Sequence, residues 1–182
     1  MSNFQTASPE LDRFIALHDQ QVQQMADFVG TISHEIYAAI PVDSPALFLG
    51  SRVKKITIGG LVRHLILAEA HWFAAVKTAA DGDTIPLPQN AALLEGVPDG
   101  GPLLDKYAAT YAVSLERLRS LTAADLTKRI VFVGRQYTVM GFLWTVLGHH
   151  GFHLGQLDLL LRQQGIEAPE YMEWAEQTAV IA

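Results

Sequence analysis

The chain has 182 residues, 49% of them hydrophobic and 18% charged, a balance that suits one globular domain over residues 1–182. It excludes a disordered chain, which lacks the apolar surface to offset its ordering entropy. There is no cysteine, so disulfides, thiolate metal ligands and a cysteine nucleophile are ruled out, and 19 acidic against 13 basic residues give a net charge of -6 that repels nucleic-acid phosphates.

The stretch from Met1 to Phe14 lacks the basic start and apolar run of a secretory signal. No apolar stretch reaches membrane-spanning length before a charge or helix breaker interrupts it. The expectation is a soluble cytoplasmic protein with no membrane partner.

From Leu11 to Ala39 the residues Phe14, His18, Val22, Met25, Val29, Ile32 and Ile36 recur at spacings of three and four, which predicts one long amphipathic helix. Pro41 stops it, and Pro45 and Gly50 suit an irregular connection up to Lys55. Thr57 reads as the N-cap of a second helix, Ile58 to Ala80, closed by Asp81-Gly82. Asp81 to Pro102 carries Pro86, Pro88 and Pro98 among several glycines with no sustained period, the pattern of an active-site lid.

A third helix follows over roughly Pro102 to Ser120, where Leu104, Tyr107, Ala108, Tyr111, Leu115 and Leu118 share one face. Thr122 to Asp125 can cap a short extra turn. Arg129 to Thr138 holds two short β-rich runs around Gly134-Arg135, the pattern of a hairpin. The last long helix runs from about Val139 to Gln164, with Gly165 in the C′ position. The tail, with Tyr171 and Trp174, is expected to pack across the bundle. The predicted fold is all-α: a four-helix bundle with a small hairpin between its third and fourth helices, its topology left open by the long connections.

Chemistry concentrates in the histidines. His149 and His153 are four residues apart in the last helix, so both lie on one face and can chelate one ion. Gln156 shares that face and suits a partner to a ligand or a substrate. His150 is rotated by about 100° and reads as structural or surface. A third nitrogen from another helix would complete a site with open positions. His64 is the candidate, because inside the apolar run Leu61 to Leu67 a neutral imidazole needs a partner and a metal would provide one; His71, seven residues on and on nearly the same face, is its rival. Spacing alone leaves the bland reading standing, since an isolated histidine on an apolar face, His18 included, is usually a hydrogen-bonded core residue.

Two segments carry a family resemblance. Thr57-Ile58-Gly59-Gly60-Leu61-Val62-Arg63-His64-Leu65 resembles the first-ligand segment of the DinB-like (damage-inducible, YfiT-type) metalloprotein superfamily. His149-His150-Gly151-Phe152-His153-Leu154-Gly155-Gln156 resembles its H-x-x-x-H-x-G-Q signature, in the same order and at a matching separation. The resemblance implies a four-helix bundle, often a homodimer, with nickel, zinc or iron held by His64, His149 and His153. His71 and Gln156, placed by their helix faces, are the further pocket candidates.

It also implies thiol S-transfer, mycothiol-dependent isomerisation or metal-dependent hydrolysis of a small substrate, with a low-molecular-weight thiol as one partner. The alternative is a non-catalytic bundle with a structural metal or a ligand pocket. No general base is named: Glu69 is about 140° from His64 around the helix, and Glu35 and His34 have no fixed place without the fold. Gly148 and Gly151, flanking His149, suit close helix approach or room for substrate.

Overall fold

The computed structural model describes residues 8–42 and 56–167. Helix α1 spans Pro9–Val29 and starts with the fixed φ of Pro9 and with Glu10 and Asp12 at the positive end of the dipole. The chain breaks at Gly30 and restarts at Ser33, whose extended backbone (φ -73, ψ 160) leads into α2, His34–Ala38. One helix to Ala39 was predicted. Ile32 and Ile36 both pack on the core, so the apolar stripe runs straight through the break and conceals it. Tyr171 and Trp174, and most of the connection before Lys55, lie outside the described residues.

Helix α3, Ile58–Thr78, opens as predicted on Thr57, whose Oγ1 accepts the Gly60 amide at 2.9 Å. After a 3-10 turn at Ala91–Leu94 come α4, Gly101–Arg119, and α5, Ala123–Thr127, the latter started by a reciprocal Thr122/Asp125 capping box. Strands β1 (Arg129–Phe132) and β2 (Arg135–Thr138) pair antiparallel, with Phe132 opposite Arg135. The last helix, α6, spans Val139–Gln163. It ends on Gly165 in the left-handed region (φ 73), where the Ile166 amide reaches back to the Leu161 carbonyl at 3.0 Å and the Ile166 side chain packs on the core.

Helices α1, α3, α4 and α6 form a four-helix bundle. α3 packs on α4 and α6, and α1 packs on α6 and α4, so α1 and α3 sit at opposite corners. The core divides into two apolar clusters. One gathers Met25, Phe28, Leu61, Leu65, Tyr107 and Leu157, and the other gathers Phe14, Phe73, Leu118, Phe142 and Val146. Every long helix turns a polar group to the seam between the two sets: His18 on α1, Glu69 on α3, the Tyr107 and Tyr111 hydroxyls on α4 and His150 on α6. His18, Glu69 and His150 are fully or almost fully buried.

The hairpin turn is Val133-Gly134, one residue earlier than predicted, and both residues have positive φ (47 and 75). That is the twist a two-residue hairpin requires, but a β-branched residue is poorly suited to it. Val133 is also 70% exposed, so its side chain gains little from packing. Val133→Asn should therefore stabilise the protein by about 1 kcal/mol, raising the thermal midpoint by about 2–4 °C. An unchanged or lower midpoint would show that the turn carries no strain.

Candidate metal centre

Three histidines from two helices meet at one point. Nε2 of His149 lies 3.0 Å from Nε2 of His64 and 3.1 Å from Nε2 of His153. The helical spacing of 149 and 153 brings one pair together, and the packing of α6 on α3 supplies His64. His64 is exposed while His149 and His153 are half-buried, so the cluster opens outward on the His64 side. Nδ1 of His153 donates to Oε1 of Gln156 at 2.7 Å, which puts the ring proton on Nδ1 and turns a lone pair at Nε2 into the cluster.

Of the α6 imidazoles, His149 and His153 are held neutral. Burial, and then the rings of His153 and His64, push His149 down to about 4; burial also lowers His153, against the Gln156 hydrogen bond that favours its charged form. Neutral nitrogens facing one another at this distance cannot all be satisfied by hydrogen bonds among themselves. Donors about 2.0–2.1 Å from a shared ion stand about 3 Å apart, so this arrangement fits a metal ion. Trp72 and Phe152 flank the cluster, with ring centroids 5.0 Å from His149 and 5.2 Å from His153.

A second group of possible ligands, His18, Glu69 and His150, lies in the polar layer of the core. Here Nδ1 of His150 is only 2.6 Å from Oε1 of Glu69, the length of a charge-assisted hydrogen bond and short for two ligands of one ion. Tyr107 donates to Oε2 of Glu69 at 2.6 Å, and Nε2 of His150 donates to the Gln21 carbonyl at 3.2 Å. A carbonyl only accepts, so that nitrogen carries a proton, and Glu69 and His150 share a second one between them. Nδ1 of His18 lies 3.4 Å from the Tyr111 hydroxyl and its Nε2 lies 3.6 Å from Oε1 of Glu69.

Burial opposes the charge on Glu69, but the imidazoles of His150 and His18 outweigh it and hold the carboxyl below the usual carboxylate range. Burial, and then Glu69, push the Tyr107 hydroxyl well up, so it remains a donor. Distances thus separate the two groups, with converging lone pairs in one and a shared proton in the other.

His71 does not join the triad. Its Nε2 donates to the Pro86 carbonyl at 3.1 Å, one of several ties that fix the 81–102 segment along α3. Asn90 donates to the Leu67 carbonyl at 3.0 Å, and Arg63 binds the Val97 carbonyl at 2.5 Å and Asp99 at 2.8 Å. Gly59 makes room for Asp99, whose carboxylate would sit 2.9–3.1 Å from any Cβ there. Farther back, Asp83 and Ile85 exchange backbone bonds with Val131 of β1. The segment predicted as a lid is therefore a strapped wall. Between it and α3 lies a cleft of about 440 Å³ lined by Arg63, Leu67, Ala91, Ala92, Leu94 and Glu95.

The structure places His34 and Glu35 on the exposed side of α2. Glu69 faces the core, as its angle from His64 required, and is bound there. His150, read from its rotation as structural or surface, is wholly buried. Gly151 lets α1 approach, since a Cβ there would stand 3.3 Å from Nε2 of Gln21, whereas Gly148 faces open space. Sequence reading missed the Glu69–His150 pair; the available signal was a glutamate and a histidine each sitting in the middle of an apolar run.

The sequence model of the DinB superfamily matches residues 16–157. Among solved structures the chain is similar to YfiT from Bacillus subtilis, described as "a probable metal-dependent hydrolase with an unusual four-helix bundle topology". That match has a TM-score of 0.65 and 15% identity, covering 90% of this chain and 93% of the other. A DinB-like protein from Bacillus cereus matches with TM-score 0.59, 22% identity and coverage of 86% and 94%. The DinB-like protein YjoA from Bacillus subtilis matches with TM-score 0.59, 18% identity and coverage of 90% and 97%. No curated protein matches the chain.

Arg63 makes two of the ties that hold the wall, both on its distal half. Arg63→Ala should speed amide exchange across residues 91–99 by about tenfold or more and leave the hairpin unchanged. Equal exchange in the variant would mean that the wall stands without the strap.

Proposed function

The chain belongs to the DinB superfamily, and from that premise we propose that it is a metal-dependent enzyme acting on a small molecule, with His64, His149 and His153 holding a divalent ion. The observation that carries this reading is the convergence of three histidines, with Nε2 of His149 3.0 Å from that of His64 and 3.1 Å from that of His153, on one exposed and two half-buried rings. Three nitrogen donors leave further positions open, and imidazole suits nickel, zinc and iron. Bound there, the ion would act as a Lewis acid that makes a nucleophile available at neutral pH from water or from a thiol.

The protein's own residues set the conditions for that chemistry. Gln156 fixes the tautomer and tilt of His153, as outer partners of metal-binding histidines do. The Trp72 ring lies against His149 and the Phe152 ring against His153, placing aromatic carbon beside both. The cleft along α3, with Arg63 at its lining and apolar side chains from the wall, suits the apolar part of a substrate. The reaction we propose is transfer of a low-molecular-weight thiol to an electrophile or hydrolysis of a small substrate; the description of YfiT supports the second.

Elemental analysis of untagged protein tests the centre. Wild type should hold about one equivalent of nickel, zinc or iron, and His153→Ala should lose it; no metal in either after reconstitution would remove the basis of the proposal. Gln156→Ala should keep the fold and weaken metal affinity by about 10–100-fold. Assays of the loaded protein with thiol plus electrophile, and separately with small esters and amides, then distinguish the two reactions. Turnover in neither would leave the ion structural or ligand-binding.

A further inference from the structure

Polar side chains from four helices meet between the two apolar clusters, and their cost needs a reason. Removing a charged pair from water costs several kcal/mol per ion before pairing returns it, and apolar residues of equal volume often do as well or better. What an apolar core lacks is direction, since burial is indifferent to small rotations of a helix about its axis. A hydrogen bond is not indifferent.

His150 is gripped at both nitrogens, by Glu69 of α3 and by the Gln21 carbonyl of α1. These are two of the helices that α6 packs against, so its rotation is fixed from two sides. Glu69 is in turn held from α4 by Tyr107. A turn of α6 by about 20° would carry a side-chain atom at its periphery by about 2 Å. That would abolish the 3.0 Å approach of His149 on α6 to His64 on α3, whereas a functional site tolerates only about 0.5 Å.

We infer that Glu69 and His150 are positioning residues of the metal centre, a buried pair that fixes α6 against α3 so that His149 and His153 meet His64. The inference rests on the proposed metal reading and goes beyond it, because neither residue is one of the three ligands.

Cobalt(II) titration, followed by its visible absorption and by chelator competition, tests the role in wild type, Glu69→Leu and Glu69→Gln. Glu69→Leu fills the space without the hydrogen bonds and should weaken cobalt binding by at least tenfold and alter the spectrum, while circular dichroism remains native. Glu69→Gln can still pair with His150 and Tyr107 and should restore affinity to within about threefold of wild type. A purely structural role would leave affinity and spectrum unmoved in Glu69→Leu, which overturns the inference while the metal reading stands.

Wild type that binds no cobalt would sink both. Cobalt retained by a His149→Ala/His153→Ala double variant and lost on adding Glu69→Leu would place an ion within the Glu69 group itself, which also overturns the positioning role. If Glu69→Leu fails to fold, Tyr107→Phe serves in its place; it removes one bond to Glu69 at nearly constant volume and should fall between wild type and a tenfold loss. Wild-type affinity in that variant would count against the inference.

Discussion

A carboxylate with 2% of its surface exposed stands at the middle of this bundle, and the four long helices are arranged around what it needs. Glu69 cannot be left unpaired, because an uncompensated buried charge costs more than any single apolar contact returns. Each neighbouring helix therefore turns a donor or a ring toward it: Tyr107 from α4, His150 from α6 and His18 from α1. The apolar residues on either side fall into two separate clusters for the same reason, since hydrophobic side chains cannot occupy the layer without stranding a polar group.

The histidine triad follows from this layer. Once His150 faces the core, helical geometry carries His149 and His153 to the edge of α6 that looks toward α3, and His64 is the residue that α3 presents there. His149 and His153 are themselves desolvated enough to stay neutral, so their lone pairs face one another without charge. Core and site are thus two faces of one helical turn, residues 149 to 153. A histidine and its neighbour in the chain serve opposite purposes because they differ by about 100° in direction.

Much of the fold was legible because it is local. The Thr57 cap, the Thr122/Asp125 box, the hairpin and the Gly165 stop all depend on residues within a few positions of each other, and the structure contains each of them. The break after Val29 was hidden because Ile32 and Ile36 keep to the core across it. At the site, the pair His149 and His153 was legible from spacing. His64 was preferred to His71 for its place in the apolar run Leu61 to Leu67, and the family segment strengthened that choice, since periodicity puts both on nearly one face.

The structure separates these two by their partners, as His71 reaches Pro86 and His64 reaches His149. The Glu69–His150 bond links positions 81 residues apart. No pattern along the chain reports such a pairing, although an acid within an apolar helix was a hint that something had to neutralise it.

The wall along α3 is tied in a particular way. His71 binds the carbonyl of Pro86, Asn90 binds the carbonyl of Leu67, and Arg63 binds the carbonyl of Val97. Every residue type offers that same carbonyl, so the neighbours that line the cleft can change identity without loosening these ties. The fold in this way separates what must be kept from what is free to drift. Substitutions at the exposed Ala91 and Ala92 can reshape the cleft while the bundle beneath it keeps its form, whereas Leu94 is buried in the core and belongs to what must be kept.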